Sequence, residues 1–422
     1  MIKKKYHQHK ETIHNFIWRA LQVVGKQGIT FLIFILCAKL LSPYDFGIYN
    51  YVLAIIFFLI MFGDFGISTA TSKYVAEYNV TNKGKLKSVL FNSGIIIVGL
   101  TILVVLLTII IGPAYLKEKY VYVLWLLPLI FLAPMTSLYD GIYRGLKRFK
   151  QLAIISTIVG FISLSFVYIL IKQYGLIGAL WAQSLFYLIL FIALASGYKE
   201  FNFKWNKEVM KEVGKYSLIV GTSLIGYFLF SKISTVLLGY FGYIQEIGYY
   251  EIVNRIILLC LLPFTIISQV ISPDITIKYS KKKSKIIILK KYKKYLLLTT
   301  VIASILAFGI YLLFPFIIKI FLNEYSSNDL LISMNYLLVI LITQSIATIV
   351  SSGFAISTGH AKVNMVFLII FGVINVPLNF LMIKHYGFIG AIYATLIVRL
   401  SSDLIYFYTY YHILKNESSK KV

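Results

Sequence analysis

Long apolar blocks alternate with short polar, mostly basic, connections along all 422 residues of the chain. Two blocks show the pattern: NSGIIIVGLTILVVLLTIIIG over 92–112 and LLLTTVIASILAFGIYLLFPF over 296–316. Each holds about 20 residues, which at about 1.5 Å per residue crosses a hydrocarbon core about 30 Å thick. In lipid such blocks fold as helices, because no water is present to satisfy backbone N–H and C=O groups. The pattern predicts twelve helices, at 16–41, 47–69, 88–112, 119–143, 151–171, 175–197, 213–239, 247–271, 294–321, 331–354, 363–383 and 388–411. Pro43, Pro113 and Pro273 fall at helix ends, whereas Pro128, Pro134, Pro263, Pro315 and Pro377 lie inside and predict kinks.

Composition supports an all-α polytopic membrane protein. The chain is 59% hydrophobic and only 14% charged, outside the range of soluble domains. A net charge of +25 would suggest nucleic-acid binding in a soluble protein. Here the lysines sit between apolar blocks, so they read as topogenic charge facing anionic lipid headgroups, and no nucleic-acid partner is expected. Of the 41 Lys and Arg, counting those at helix edges with the adjoining connection, 31 fall in the termini and even-numbered connections, six in the odd-numbered ones and four deeper within helices. That asymmetry places both termini in the cytoplasm and the chain in the cell membrane. The basic start MIKKKYHQHK precedes a long apolar stretch without a small-residue cleavage site, and so reads as the flank of a retained helix. Cys37 and Cys260 both lie in apolar blocks, which predicts neither a disulfide framework nor a metal site, and no cofactor is expected.

An internal repeat organises the chain. IKQYGLIGALWAQSL (171–185) matches IKHYGFIGAIYATLI (383–397) at eight positions with a shift of 212. A weaker match pairs PYDFGIYNYVLA (43–54) with IQEIGYYEIVNR (244–255) at a shift of 201. Both set a helix against one six places later, so the halves are expected to be parallel repeats, as in alternating-access transporters. The expected organisation is an N-terminal six-helix lobe over 1–198, a cytoplasmic linker over 199–212 and a C-terminal six-helix lobe over 213–422.

With these residues in view, the chain resembles the polysaccharide-biosynthesis flippases. These are the O-antigen-type, lipid-linked oligosaccharide branch of the multidrug/oligosaccharidyl-lipid/polysaccharide exporter superfamily. The resemblance runs over essentially the full length. It is carried by AKLLSPYDFGIYNYVLA, FGDFGISTATSKYVAEY, YDGIYRGLKRFKQLAIIS, YGLIGALWA and SKISTVLLGYFGYIQEIGYYEIVNRI. It implies two six-helix lobes in a MATE-like V and the turning of a polyprenyl-diphosphate-linked glycan from inner to outer leaflet. One departure is Ser234, where family members often carry Asp, which weakens any carboxylate cation site there.

Charges within helices are the candidate site, because ionisable groups in a membrane usually face a cavity or a partner. Lys26, Lys232, Arg255 and Arg399 are expected to form a cationic cavity for the diphosphate, through charge-assisted hydrogen bonds. Gln22, Asn50, Glu251, Asn254 and Asp403 are the supporting polar and acidic groups, with Tyr227, Gln269 and Gln344 as further candidates for sugar contacts. Glu251 lies four residues before Arg255, and Asp403 four after Arg399, so each pair shares a helix face and a local bridge is expected. Lys26 and Lys232 lack such a neighbour. Asp64 and Asp140 read as interfacial partners of Lys73 and Arg144, and GIYRG (141–145) as small-residue helix packing.

Membrane lipids and the lipid-linked oligosaccharide are thus the expected partners, with a monomer sufficient for function. The first alternative is a cation-coupled multidrug exporter of MATE type, disfavoured because no unpaired acid lies mid-membrane in the first six helices. The second is a membrane glycan polymerase or ligase, disfavoured by the short external loops and the isolated His360 and His385. The charge asymmetry carries its own test: fluorescent-protein fusions at either terminus should glow, and alkaline-phosphatase fusions there should be inactive. An active phosphatase at either end would overturn the orientation.

Overall fold

The computed structural model describes residues 2–199, 203–280 and 285–419. The centre of the basic KYSKKKSK stretch (281–284), residues 200–202 of the expected linker and Lys420 and Lys421 lie outside the described residues. All regular structure among those described is helical: α1 Ile2–Leu40, α2 Pro43–Asp64, α3 Ile67–Thr81, α4 Lys83–Leu116, α5 Tyr120–Trp125, α6 Leu127–Gly145 and α7 Phe149–Ser196, then α8 Lys207–Ser231, α9 Ile233–Tyr240, α10 Ile244–Cys260, α11 Leu262–Ser280, α12 Lys285–Phe321, α13 Asn328–Thr348 and α14 Ala361–Ser419. The chain divides into two compact units, Met1–Ile225 and Gly226–Val422, and the division falls within α8.

Nine segments among the described residues are long and apolar enough to cross a membrane. Two of them contain a glycine at which the chain leaves helical geometry: Gly175 (φ 54°, ψ −129°) in α7 and Gly387 (φ 61°, ψ −143°) in α14. Each therefore supplies two helices, and α5 with α6 forms one further span, which gives the twelve expected.

Local sequence explains most of the breaks. Ser42 caps α2, accepting a hydrogen bond from the Asp45 N–H at 3.1 Å, with Pro43 in the first turn. Leu126 and Pro128 separate α5 from α6, and Leu261 with Pro263 separates α10 from α11, because a proline has no N–H to give to the preceding turn. Two expected helix ends move. Helix α4 runs past Pro113 to Leu116 and α11 past Pro273 to Ser280, since one missing hydrogen bond kinks a helix without ending it.

The expected second helix, drawn to 69, instead ends at Asp64 and gives way to the separate α3. Phe65 and Gly66 both take left-handed backbone angles (φ 38° and 79°), and a Cβ on Gly66 would sit 2.7 Å from Val220. Asp64 then accepts from the N–H (2.9 Å) and hydroxyl (2.7 Å) of Ser68, holding the first turn of α3. Ile67, Ala70, Val75 and Tyr78 bury one face of α3 in the first unit's core. Gly141 and Gly145 of α6 lie against it so closely that a Cβ would meet the Ser68 and Ser72 carbonyl oxygens at 2.4 and 2.7 Å. The GIYRG spacing is thus a packing device.

The repeat recurs in local geometry. Gln183 donates to the Tyr49 hydroxyl at 2.5 Å, and at the equivalent positions Tyr250 and Thr395 share a hydrogen bond of 2.8 Å. Thr136 bonds back to the Leu132 carbonyl at 2.7 Å, as its counterpart Thr348 does to that of Gln344 at 2.8 Å. A Cβ on Gly178 or on Gly390 would stand 2.0 Å from the carbonyl of the residue eight earlier, so only glycine fits either bend.

The glycine bends are measurable. Gly175→Ala and Gly387→Ala should each cost roughly 1–3 kcal/mol, because their backbone angles are strained for any L side chain. The second should cost more, since its Cβ would also meet the Tyr243 hydroxyl at 2.9 Å. Gly28→Ala, inside α1 with open space around it, should instead be neutral or slightly stabilising. Thermal unfolding in detergent ranks the three, and an unchanged midpoint for Gly387→Ala would contradict the account.

Candidate functional site

The second unit holds the best-defined charged cluster. The chain breaks at Lys232 between α8 and α9, and this turns its side chain toward α10. Its ammonium donates to both oxygens of Glu251, at 2.9 and 2.7 Å. Thr235, one turn into α9, donates to the same carboxylate at 2.6 Å. Glu251 is buried, whereas 36% of the Lys232 side chain is exposed. Arg255, one turn further along α10, adds its positive charge to the same carboxylate. The partner that Lys232 lacked within its own helix therefore comes from a neighbouring one.

Beside this cluster runs a neutral polar chain. Ser234 and Thr395 hydroxyls lie 3.2 Å apart, and Thr395 also meets Tyr250. Asn254 is buried with its amide donating to the Tyr250 carbonyl at 3.0 Å. Asn375 of α14 donates to the Leu229 carbonyl at 2.9 Å, and Asn379 donates to the Asn375 side-chain oxygen at 2.7 Å.

The expected Arg399–Asp403 bridge is absent. Both residues are buried, yet Arg399 Nε and Asp403 Oδ2 have no hydrogen-bond partner among the described residues. The order of the charges accounts for this, because an acid placed before a base by four residues reaches it better than the reverse. Asp140–Arg144 and Asp274–Lys278 have the acid first and close at 2.6 Å. Glu251–Arg255 also has the acid first, but both Glu251 oxygens are already held by Lys232 and Thr235. The pairing expected of Asp64 with Lys73 gives way too: Asp64 caps α3, and Lys73 lies over the Tyr74 and Tyr216 rings at 4.6 and 4.3 Å.

The remaining candidates lie in the first unit. Gln22 is buried on α1, and Lys26, one turn on, is exposed with no carboxylate in ion-pair range among the described residues. Asn50 is buried in α2 and donates to the Phe46 carbonyl at 2.8 Å. Thr235 and Thr395 were not singled out by sequence. For Thr395 the signal was available, because it occupies the repeat position of Gln183.

Comparison with known proteins decides the family, since residues 12–277 match the model of polysaccharide biosynthesis proteins. The chain belongs to that polysaccharide biosynthesis protein family. It is 25% identical over 401 residues to an uncharacterized membrane protein of Methanocaldococcus jannaschii, covering 90% of this chain and 93% of that one. Its fold is that of MOP-superfamily transporters. An inward-facing multidrug resistance MATE family transporter superposes with a TM-score of 0.80 at 14% identity, over 96% of this chain and all (100%) of the other. A MOP superfamily transporter from Pyrococcus furiosus, described as having a binding pocket of reverse polarity, gives 0.65 at 16% identity over 98% and 97%. Family, fold and apolar spans together make this chain a multi-pass membrane protein.

Within this family member, the Lys232–Glu251 pair gives an asymmetric prediction. Lys232→Ala leaves a buried carboxylate short of its main partner and should cost roughly 1–3 kcal/mol. Glu251→Gln leaves an ammonium on a side chain that is 36% exposed and keeps an amide oxygen for it to meet, and should cost less. The double variant should recover part of the Lys232→Ala loss, and thermal unfolding of all three checks the order.

Proposed function

We propose that the chain turns a polyprenyl-diphosphate-linked oligosaccharide from the inner to the outer leaflet of the cell membrane, for cell-surface polysaccharide synthesis. The two units alternate access, and Lys26, Lys232, Arg255 and Arg399 supply positive charge for the diphosphate. The observation carrying this reading is the charge imbalance at α9 and α10, where one buried carboxylate is shared by two cations and 36% of the Lys232 side chain is exposed. A diphosphate is anionic, and the Lys232 ammonium, with three N–H donors, can add a phosphate oxygen while keeping Glu251. Gln22, Asn50 and Asn254 are the neutral polar groups that accompany it, and the termini stay in the cytoplasm.

The fold match to MATE transporters favours a second reading, export of organic cations coupled to an ion gradient. It is weaker because the first unit's membrane carboxylates are already engaged: Asp45 with Ser42, Asp64 with Ser68 and Asp140 with Arg144. Within the first unit a cationic substrate would need one of them released.

In a strain deleted for the gene, lipid-linked glycan should accumulate on the inner leaflet, and the wild-type chain should clear it. Lys26→Ala and Arg255→Ala should reach the membrane at normal levels and reduce export at least tenfold. Full export by the double variant would remove the cationic-cavity mechanism, and cation efflux with undisturbed glycan would favour the second reading.

A further inference from the structure

The second unit holds an open cavity of about 340 Å³ whose wall combines polar side chains from α13 and α14 with aromatic rings. Gln344, Ser402, Asp403 and Tyr406 line it together with Tyr227, Phe230 and Phe367, the last set edge-on to Tyr406 at 5.5 Å. Asp403 and Tyr406 are 7% and 4% exposed, yet Asp403 makes no hydrogen bond through Oδ2 among the described residues, its neighbour being Thr343, and the Tyr406 hydroxyl meets Ser351 without a well-formed bond. A carboxylate oxygen and a phenol left short of good hydrogen bonds at such depth are costly in a membrane protein.

The first unit shows that the fold itself does not require them. The shift of 212 that relates Thr136 to Thr348 and Gly141 to Gly353 takes Gln344 to Leu132, Ser402 to Leu190, Asp403 to Phe191 and Tyr406 to Leu194. Leu132, Leu190 and Leu194 are buried apolar residues there. Where one unit carries leucine and phenylalanine, the other carries polar side chains beside a hollow. Its polarity is an addition to the fold.

Size and chemistry identify what such a hollow holds. At about 30 Å³ per water, 340 Å³ is room for roughly eleven waters, far beyond the tight oxygen cage of a bare cation. It lies at the small end of the roughly 300–1,000 Å³ typical of small-molecule sites. A carboxylate and a primary amide, with hydroxyls between them, accept and donate to several hydroxyl groups at fixed angles. The aromatic rings of the same lining offer flat apolar faces. That combination suits a pyranose, which carries hydroxyls on its rim and C–H groups on its faces.

We propose that this cavity is a saccharide subsite for one neutral hexose or N-acetylhexosamine unit of the transported glycan, with Asp403 and Gln344 as its hydrogen-bonding residues. The inference rests on the transport reading above and deepens it. A uronic acid would set a second carboxyl group against that of Asp403 and is not expected to bind. The Tyr406 hydroxyl, poorly satisfied by Ser351, offers a further hydrogen-bonding position.

The test uses the purified full chain in lipid nanodiscs and saturation-transfer NMR against glucose, galactose, N-acetylglucosamine and glucuronate. The wild type should take up signal from at least one neutral sugar and none from glucuronate. Asp403→Asn and Gln344→Leu should each weaken that binding at least tenfold. The leucine is the residue that the first unit packs at the same place, so this variant is expected to fold, and an unchanged thermal midpoint checks it. Absence of binding by every neutral sugar, or equal binding by both variants, would overturn the subsite. Stabilisation of the wild type by sodium chloride alone, lost in Asp403→Asn, would overturn it in favour of a cation. These results strike only the subsite, whereas undisturbed glycan export from a strain lacking the gene strikes the transport reading beneath it.

Discussion

In hydrocarbon a backbone N–H or C=O without a partner costs several kcal/mol, and the architecture of this chain follows from that constraint. It makes every span a helix and dictates how a helix can be interrupted. The chain bends only where a residue tolerates it or where a side chain takes over the freed group. Gly175 and Gly387 supply positive φ, Phe65 and Gly66 supply a left-handed pair, and Asp64 then receives the Ser68 amide. Buried Thr and Ser residues follow the same logic by bonding to carbonyls one turn back, as Thr136, Ser163 and Ser345 do.

Charge obeys a similar economy. Acids placed ahead of bases along a helix close locally, as at Asp140–Arg144, and leave nothing for a ligand. Functional potential concentrates where local closure fails. Glu251 is drawn away from Arg255 by a lysine on a neighbouring segment, and Asp403 stands on the wrong side of Arg399 to bridge well. Both exceptions lie in the second unit, which carries the richer polar network of this polysaccharide biosynthesis family member.

The two units share a plan and differ in what they spend it on. The hydrogen bond joining Tyr49 to Gln183 has its counterpart in Tyr250 and Thr395, and each YG-x-IGA segment bends at its glycine in the same way. Against that common frame, Asn50 stands where the second unit has Glu251, and Leu194 where it has Tyr406. Polarity added to one copy of a duplicated fold marks function more sharply than polarity alone, because the other copy shows the fold standing without it.

Helix number, repeat and family resemblance were legible in the linear chain, because hydropathy, glycine spacing and motif order are properties of consecutive residues. So were the kink at Pro128 and the i,i+4 closure of Asp140 on Arg144. The extra helix α3 was not, since its apolar face is narrow and its start depends on Asp64 turning back across a left-handed pair. Which acid each buried cation meets was likewise undecided by sequence. Lys232 reaches Glu251 across 19 positions, and Asp403 faces a hollow framed by α13, because side-chain partners are set by how helices pack. The sequence by itself determined the spans and their duplication. Tertiary structure alone decided the pairing of the charges, since a helix has one neighbour set in sequence and another in space.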